Sequence, residues 1–214
     1  MQDYLKAIHE LQEAGEDPTP KVLAERLDVT PASASDMTQR LAELDLVERE
    51  PYEGVELTAA GELTALEVIR HHRLLELFLV ETLGIPWDEV HEEAEVLEHH
   101  ISEELEDRIA ERLDHPERDP HGDPIPSRDG SLPNPDGRRL DEIEEGAEVR
   151  IVRVSDDDPD VLRFLGSRGL YPGAEARVEE ADPGAAVLTV EVDGRQVHVG
   201  EPVARQITVE EVPA

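Results

Sequence analysis

The amino-acid sequence predicts a mainly α N-terminal half followed by a small all-β domain. Three observations carry that expectation. Apolar residues recur at helical spacing from the N-terminus to about residue 113. Residues 116–137, PERDPHGDPIPSRDGSLPNPDG, hold six prolines and three glycines and read as a boundary and linker. Beyond them, GAEVRIVRV, AEARVEEA, AVLTVEV, RQVHVG and QITVEEV are short alternating strands punctuated by glycine, a barrel or sandwich of about 75 residues.

The elements follow in order. Residues 2–15 form an amphipathic helix with Tyr4, Leu5, Ile8 and Leu11 on one face. Thr19 caps the next helix with Pro20 at its first position, and Thr30 with Pro31 repeats the device eleven residues later. Asp28-Val29 makes the tight connection between them. The second helix, 31–44, turns Met37, Leu41 and Leu44 inward and leaves Ser33, Ser35, Asp36, Gln39 and Arg40 open. Two short helices so joined are a helix-turn-helix, and LVEREPYEGVELT supplies two wing strands around Glu53-Gly54. Thr58 opens a long helix ending before Gly84, with Leu63, Leu66, Ile69, Leu74, Leu77 and Phe78 as its apolar positions. Trp87-Asp88 begins another that runs to about Leu113.

Charge and composition bound the function. The chain carries 53 Asp plus Glu against 20 Lys plus Arg, a net charge of −33, and only Lys6 and Lys21 are lysines. Acid excess spread over every segment, with lysine almost absent, is the bias of organisms that keep molar salt in the cytoplasm. There the screening length shrinks to about 3 Å and self-repulsion is tolerated. The charge therefore reports a halophilic habitat more than a partner. No cysteine is present, so thiolate metal sites and disulfides are excluded. No apolar run approaches the roughly 18 residues of a membrane span, and MQDYLKAIHEL lacks the pattern of a secretory signal. A cytoplasmic protein with no membrane partner is expected.

Two constellations could carry chemistry. Small polar residues at the start of the second short helix (Thr30, Ser33 and Ser35) suit phosphates and base edges, and Arg40 and Arg49 suit phosphates. Against this, residues 1–60 hold 14 acids and five bases, and three helices with a wing also serve as protein-binding modules. The second constellation is histidine. His71, His72, His91, His99 and His100 fall within 30 residues on two consecutive expected helices. At about 100° per residue, His91, Glu95, Glu98 and His99 share one arc, and His72 and Glu76 share a face of the preceding helix. His71 and His100 point away. Mixed oxygen and nitrogen donors suit Mn(II), Fe(II), Co(II) or Zn(II). From spacing alone, a solvated acidic helix and a metal site both stand.

The ordered set DYLKAIHEL, the helix-turn-helix, YEGVELTAAG, RHHRLLELFL, VHEEAEVLEHHISEE and DPHGDPIP resembles the metal-dependent repressors of the diphtheria toxin repressor and manganese transport regulator family. The resemblance covers residues 2–127 continuously. It implies a winged helix-turn-helix DNA-binding domain (1–60), a helical metal-binding and dimerisation domain (61–115), a linker (116–140) and an SH3-like β domain (141–214). It implies a homodimer that binds palindromic double-stranded operator DNA when loaded with Fe(II) or Mn(II), two ions per subunit, and that represses metal-uptake and homeostasis genes. The primary site would be Asp3, Glu95, Glu98 and His99. The ancillary site would be His72, Glu76 and His91, with Asp158 or Asp160 donated by the β domain, where Val161 stands at a further ligand position. Thr30, Ser33, Ser35, Asp36, Gln39, Arg40 and Arg49 would face DNA. Where the manganese branch has a second acidic residue one turn after Asp3, this chain has Lys6. No phosphate loop, nucleophile elbow or pair of Glu-x-x-His elements is present, so the expectation is a regulator and not an enzyme. A metal-independent winged-helix regulator and a metallohydrolase are the alternatives.

Overall fold

Capping sets where the first helices begin. The computed structural model describes residues 1–49, 54–133, 137–155, 158–182 and 186–212. Helix α1 spans Gln2–Glu13, α2 Pro20–Arg26 and α3 Pro31–Glu43. The Thr19 and Thr30 hydroxyls accept from the backbone N–H groups of Val22 and Ser33, so both expected caps form. The connection between α2 and α3 turns on Asp28, whose φ of 50° lies in the left-handed region that aspartate tolerates. Tyr4, Leu5, Ile8 and Leu11 of α1 bury against Leu23, Ala34 and Leu41 to form one core.

Within α3, Ala34, Thr38 and Leu41 face inward, whereas Leu44 is 52% exposed. Leu44 closes the helix as its C-cap, so helical phase no longer applies to it. Strands β1 (Val47–Arg49) and β2 (Val55–Leu57) pair antiparallel with Val47 opposite Leu57. Of the expected wing turn, Glu53 lies outside the described residues. Helix α4 (Ala59–Phe78) starts where the Thr58 hydroxyl accepts from Gly61 N–H. Gly61 is needed there, because a Cβ would lie 1.9 Å from the Leu46 carbonyl oxygen. A π-helical turn (Leu79–Leu83) follows α4, and Gly84 ends it at φ 71°. Leu63, expected inward, is 50% exposed.

One long helix was expected from Trp87 to Leu113, but the structure has two, α5 (Val90–Leu97) and α6 (Glu103–Arg112). The break has a local cause. The Ser102 hydroxyl accepts from Leu105 N–H and the acidic residues Glu103, Glu104 and Glu106 fill the first turn of α6. Residues 98–100 are therefore a turn and not helix.

The C-terminal segment forms a six-stranded antiparallel sheet in the order β3-β8-β4-β5-β6-β7. Its strands are β3 (Arg138–Arg139), β4 (Glu148–Val154), β5 (Glu175–Asp182), β6 (Val187–Val192), β7 (Arg195–Gly200) and β8 (Ile207–Glu211). The barrel is not closed, since β3 and β7 remain edges among the described residues. A two-residue β3 offers too little backbone to join them. Helices α7 (Pro159–Gly166) and α8 (Glu201–Ala204) cross between strands. Val149, Ile151, Val178, Val190, Val199 and Ile207 make the sheet's core.

The chain divides into two units by its internal contacts. The first comprises Met1–His72, Glu98–Ile101 and Pro126–Leu132; the second comprises Arg73–Leu97, Ser102–Ile125 and Pro133–Ala214. In the second, the first half of the proline-rich segment is packed, with Asp119, His121, Asp123 and Ile125 all buried. Gly122 (φ 89°) lets the loop meet β4, where a Cβ would lie 2.0 Å from Val152 O, and Val154 N–H donates to His121 O at 2.8 Å. Among the described residues no helix is long and apolar enough to cross a membrane.

Substituting Gly61→Ala forces α4 away from Leu46. We expect a loss of about 1–3 kcal/mol of unfolding free energy, the range for overpacking, in a urea titration. An unchanged midpoint would contradict the close approach.

Candidate metal centre

The turn at 98–100 gives the first unit its donor set. Asp3, in the first turn of α1, places Oδ1 2.9 Å from His99 Nε2, and Glu98 Oε1 lies 3.7 Å from the same nitrogen. One ligand atom from each of these three residues falls within 4.8 Å of the others. His99 Nδ1 is 3.2 Å from the Gln2 amide oxygen, which fixes the ring. Helical spacing alone places Glu98 and His99 on one arc with His91 and Glu95. They belong together instead because the chain leaves the helix at Leu97.

Glu98 is the buried member. Its side chain has no exposed surface, and Oε1 has no hydrogen-bond partner. Its other oxygen, Oε2, lies 2.5 Å from His72 Nδ1 and 3.2 Å from Lys6 Nζ. Burial pushes the carboxyl up, but the His72 hydrogen bond and the Lys6 charge outweigh it and hold the pKa below the ordinary value. An ionised carboxylate only accepts, so His72 Nδ1 carries the proton. His72 thus sits beside Glu98 in the first unit.

In the second unit, Glu76 is fully buried on α4. Its Oε1 lies 3.2 Å from His91 Nδ1, and His91 Nε2 is 3.8 Å from Glu95 Oε1. Two neighbours of Glu76 carry no helical-spacing signal in the sequence. Asp119 and His121 join Glu76 in a wholly buried cluster, with His121 Nδ1 3.7 Å from Glu76 Oε2. The Trp87 carbonyl accepts from His121 Nε2 at 2.8 Å, and the two rings stack at 5.6 Å. That carbonyl commits Nε2 to carrying a proton. The Nδ1 atom faces the Glu76 carboxyl, so a proton on one of the two groups, or a metal ion, is needed between them. DPHGDPIP held the signal, but proline and glycine hid it.

The protonated form is favoured in the structure as it stands. Burial lowers the His121 pKa, but the Glu76 and Asp119 carboxyls outweigh burial and bring it up to about 9. Burial, Asp123 and Glu76 push Asp119 up to about 8 against His121 and Arg73. The remaining expected donors are engaged elsewhere. Asp158 caps α7, accepting from Asp160 N–H at 2.9 Å, and Asp160 accepts from Arg163 at 2.8 Å. Neither joins a cluster of ligand-type side chains among the described residues. His71, set aside as pointing away, is 5% exposed, whereas His100 is exposed as expected.

Both donor sets fit a divalent ion. Each has a buried carboxylate, an imidazole and a polar atom that no protein group satisfies. On α3, Thr30, Ser33, Asp36, Gln39 and Arg40 form an exposed face continued by Arg49 on β1, and Ser35 is half-buried.

The domain family described as "Iron dependent repressor, N-terminal DNA binding domain" matches residues 1–55. "Iron dependent repressor, metal binding and dimerisation domain" matches residues 58–127, and "FeoA domain" matches 138–211. The chain is 34% identical over 221 residues to the iron-dependent repressor IdeR of Mycobacterium tuberculosis, covering 98% of this chain and 96% of that one. The chain belongs to the iron-dependent repressor family. It is also 32% identical to the diphtheria toxin repressor of Corynebacterium efficiens over 98% of this chain and 94% of that protein. Among solved structures, a manganese-dependent transcriptional repressor in complex with manganese superposes with a TM-score of 0.91 at 44% identity, covering 99% of both chains. The repressor ScaR with bound Zn(II) gives 0.79 at 35% identity, covering 99% of both. The family is one of transcriptional repressors, not enzymes. In this repressor, a DNA-binding domain, a metal-binding and dimerisation domain and an FeoA domain follow one another.

The buried His121–Asp119 cluster makes stability fall with rising pH. Both groups have raised pKa values in the fold, so their contributions are complete below the unfolded values and vanish as pH passes the folded ones. His121 sets the window, from its ordinary 6.5 to about 9. In chelator, the urea midpoint should drop between pH 6.5 and 9, and His121→Gln should flatten that drop. A wild-type midpoint that rises across this window would contradict the cluster.

Proposed function

We propose that the chain is an Fe(II)- or Mn(II)-dependent repressor whose homodimer binds a palindromic operator controlling metal-uptake and homeostasis genes. One observation carries the reading: the first turn of α1 and the 98–101 turn, far apart in sequence, meet through Asp3, Glu98 and His99. Asp3 belongs to the DNA-binding domain, and the dimerisation domain contributes the other two.

A bound divalent ion would supply the positive charge that lets two carboxylates and an imidazole share one point. The chain's residues do the rest. Asp3 anchors the start of α1, Glu98 and His99 anchor the turn, and the α3 face keeps one placement. Two recognition helices so fixed in a dimer meet major grooves about 34 Å apart, or a multiple, with less ordering left for the DNA to impose. Coupling of this kind is reciprocal, so operator should tighten metal binding by the same factor. We place a second ion per subunit at a site that includes Glu76 and His91. The net charge of −33 fits function in molar salt, where counterion release contributes little to DNA binding.

Operator binding at molar KCl, with Mn(II), with Fe(II) and with chelator, tests the reading. Binding should require metal, and Asp3→Ala should abolish the metal stimulation while leaving the fold intact by circular dichroism. Equal binding in chelator would show a metal-independent regulator. Metal-stimulated binding by Asp3→Ala would remove Asp3 from the mechanism.

A further inference from the structure

Lys6 is one of two lysines in the chain, and it lies three residues after Asp3 on the same face of α1. Its side chain is only 12% exposed, whereas that of Lys21 is 80% exposed. The ammonium stands 3.2 Å from Glu98 Oε2 and 3.3 Å from His72 Nδ1. These are an oxygen and a nitrogen of the kind that hold transition metals. Glu98 therefore has two differently occupied ends. Oε1 faces Asp3 and His99, where no protein donor satisfies it, and Oε2 faces a cation that the chain itself provides.

We propose that the Lys6 ammonium occupies a second cation position beside the Asp3–Glu98–His99 set and so limits this part of the protein to one metal ion. The inference rests on the metal-dependent reading above. A divalent ion at the Lys6 position would need to displace both the ammonium and the Nδ1 proton of His72. The ammonium meanwhile holds Glu98 Oε2 on its own side, which leaves Oε1 toward Asp3 and His99. Lys6 is a positioning residue: it reaches the metal set only through Glu98.

Replacing Lys6 by glutamate removes the internal cation and adds a carboxylate donor at the same place. Equilibrium dialysis against Mn(II) in molar KCl, with ions per chain counted by elemental analysis, should give one more ion for Lys6→Glu than for wild type. An equal or smaller count overturns the proposal. The wild-type protein provides a second test that needs no variant. Acylation of lysine should stay several-fold slower at Lys6 than at Lys21 both with and without Mn(II), because the ammonium is not displaced. If Mn(II) brings Lys6 to the Lys21 rate, the ion has taken its place and the proposal falls. Wild type that binds no Mn(II), beside a Lys6→Glu protein that gains one, would sink the metal-dependent reading and leave the Lys6 assignment standing.

Discussion

A carboxylate with no exposed surface is the constraint around which this chain is arranged. Burying an ion costs several kcal/mol unless charge and hydrogen bonds meet it inside the protein. Glu98 satisfies that demand at one oxygen through His72 and Lys6, and leaves the other to Asp3 and His99. Three segments must therefore converge on one side chain: the first turn of α1, the middle of α4 and the turn after α5. The Ser102 cap is what makes the turn, because it starts a new helix and frees residues 98–101 to leave the line of α5. Local capping chemistry thus decides where the ligand-type groups stand.

The second unit repeats the arrangement with different parts. Glu76 is also fully buried, and the group opposite it is the His121 imidazole, whose far nitrogen is committed to a backbone carbonyl. The loop that provides His121 also receives β4 of the FeoA domain through a backbone hydrogen bond, and Arg153 Nε reaches Asp123 at 2.8 Å. The same loop thus serves as a docking surface for the sheet and as a lining for the Glu76 cluster. Arg163 reaching Asp88 at 2.9 Å is a further contact between the FeoA domain and the segment before α5.

Much of this was legible in the sequence, and the failures have definite causes. The two Thr-Pro caps, the wing strands and all five long strands follow from local rules and appear as expected. The pairing of Glu76 with His91, and of Asp3 with Glu98 and His99, is an expectation of the family resemblance; helical arcs alone do not separate ligand-type groups from a solvated acidic face. Helical phase does not extend to Glu98, and the sequence hides this because a serine cap inside an acidic run looks like more acidic helix. Asp119 and His121 escaped because proline and glycine usually mark exposed loops, whereas here they shape a buried one. The two-residue β3 and the helices α7 and α8 are too short for periodicity to show.

The most direct test of the account removes the charge of Glu98 and keeps its shape. Glu98→Gln should leave the metal-free protein folded, with circular dichroism like wild type, because an amide still fills the space between His72 and Lys6. Mn(II) affinity, measured by electron paramagnetic resonance of the free ion in molar KCl, should fall by at least about tenfold, or 1.4 kcal/mol. An Mn(II) affinity equal to that of wild type in a folded Glu98→Gln protein would contradict the account at its centre.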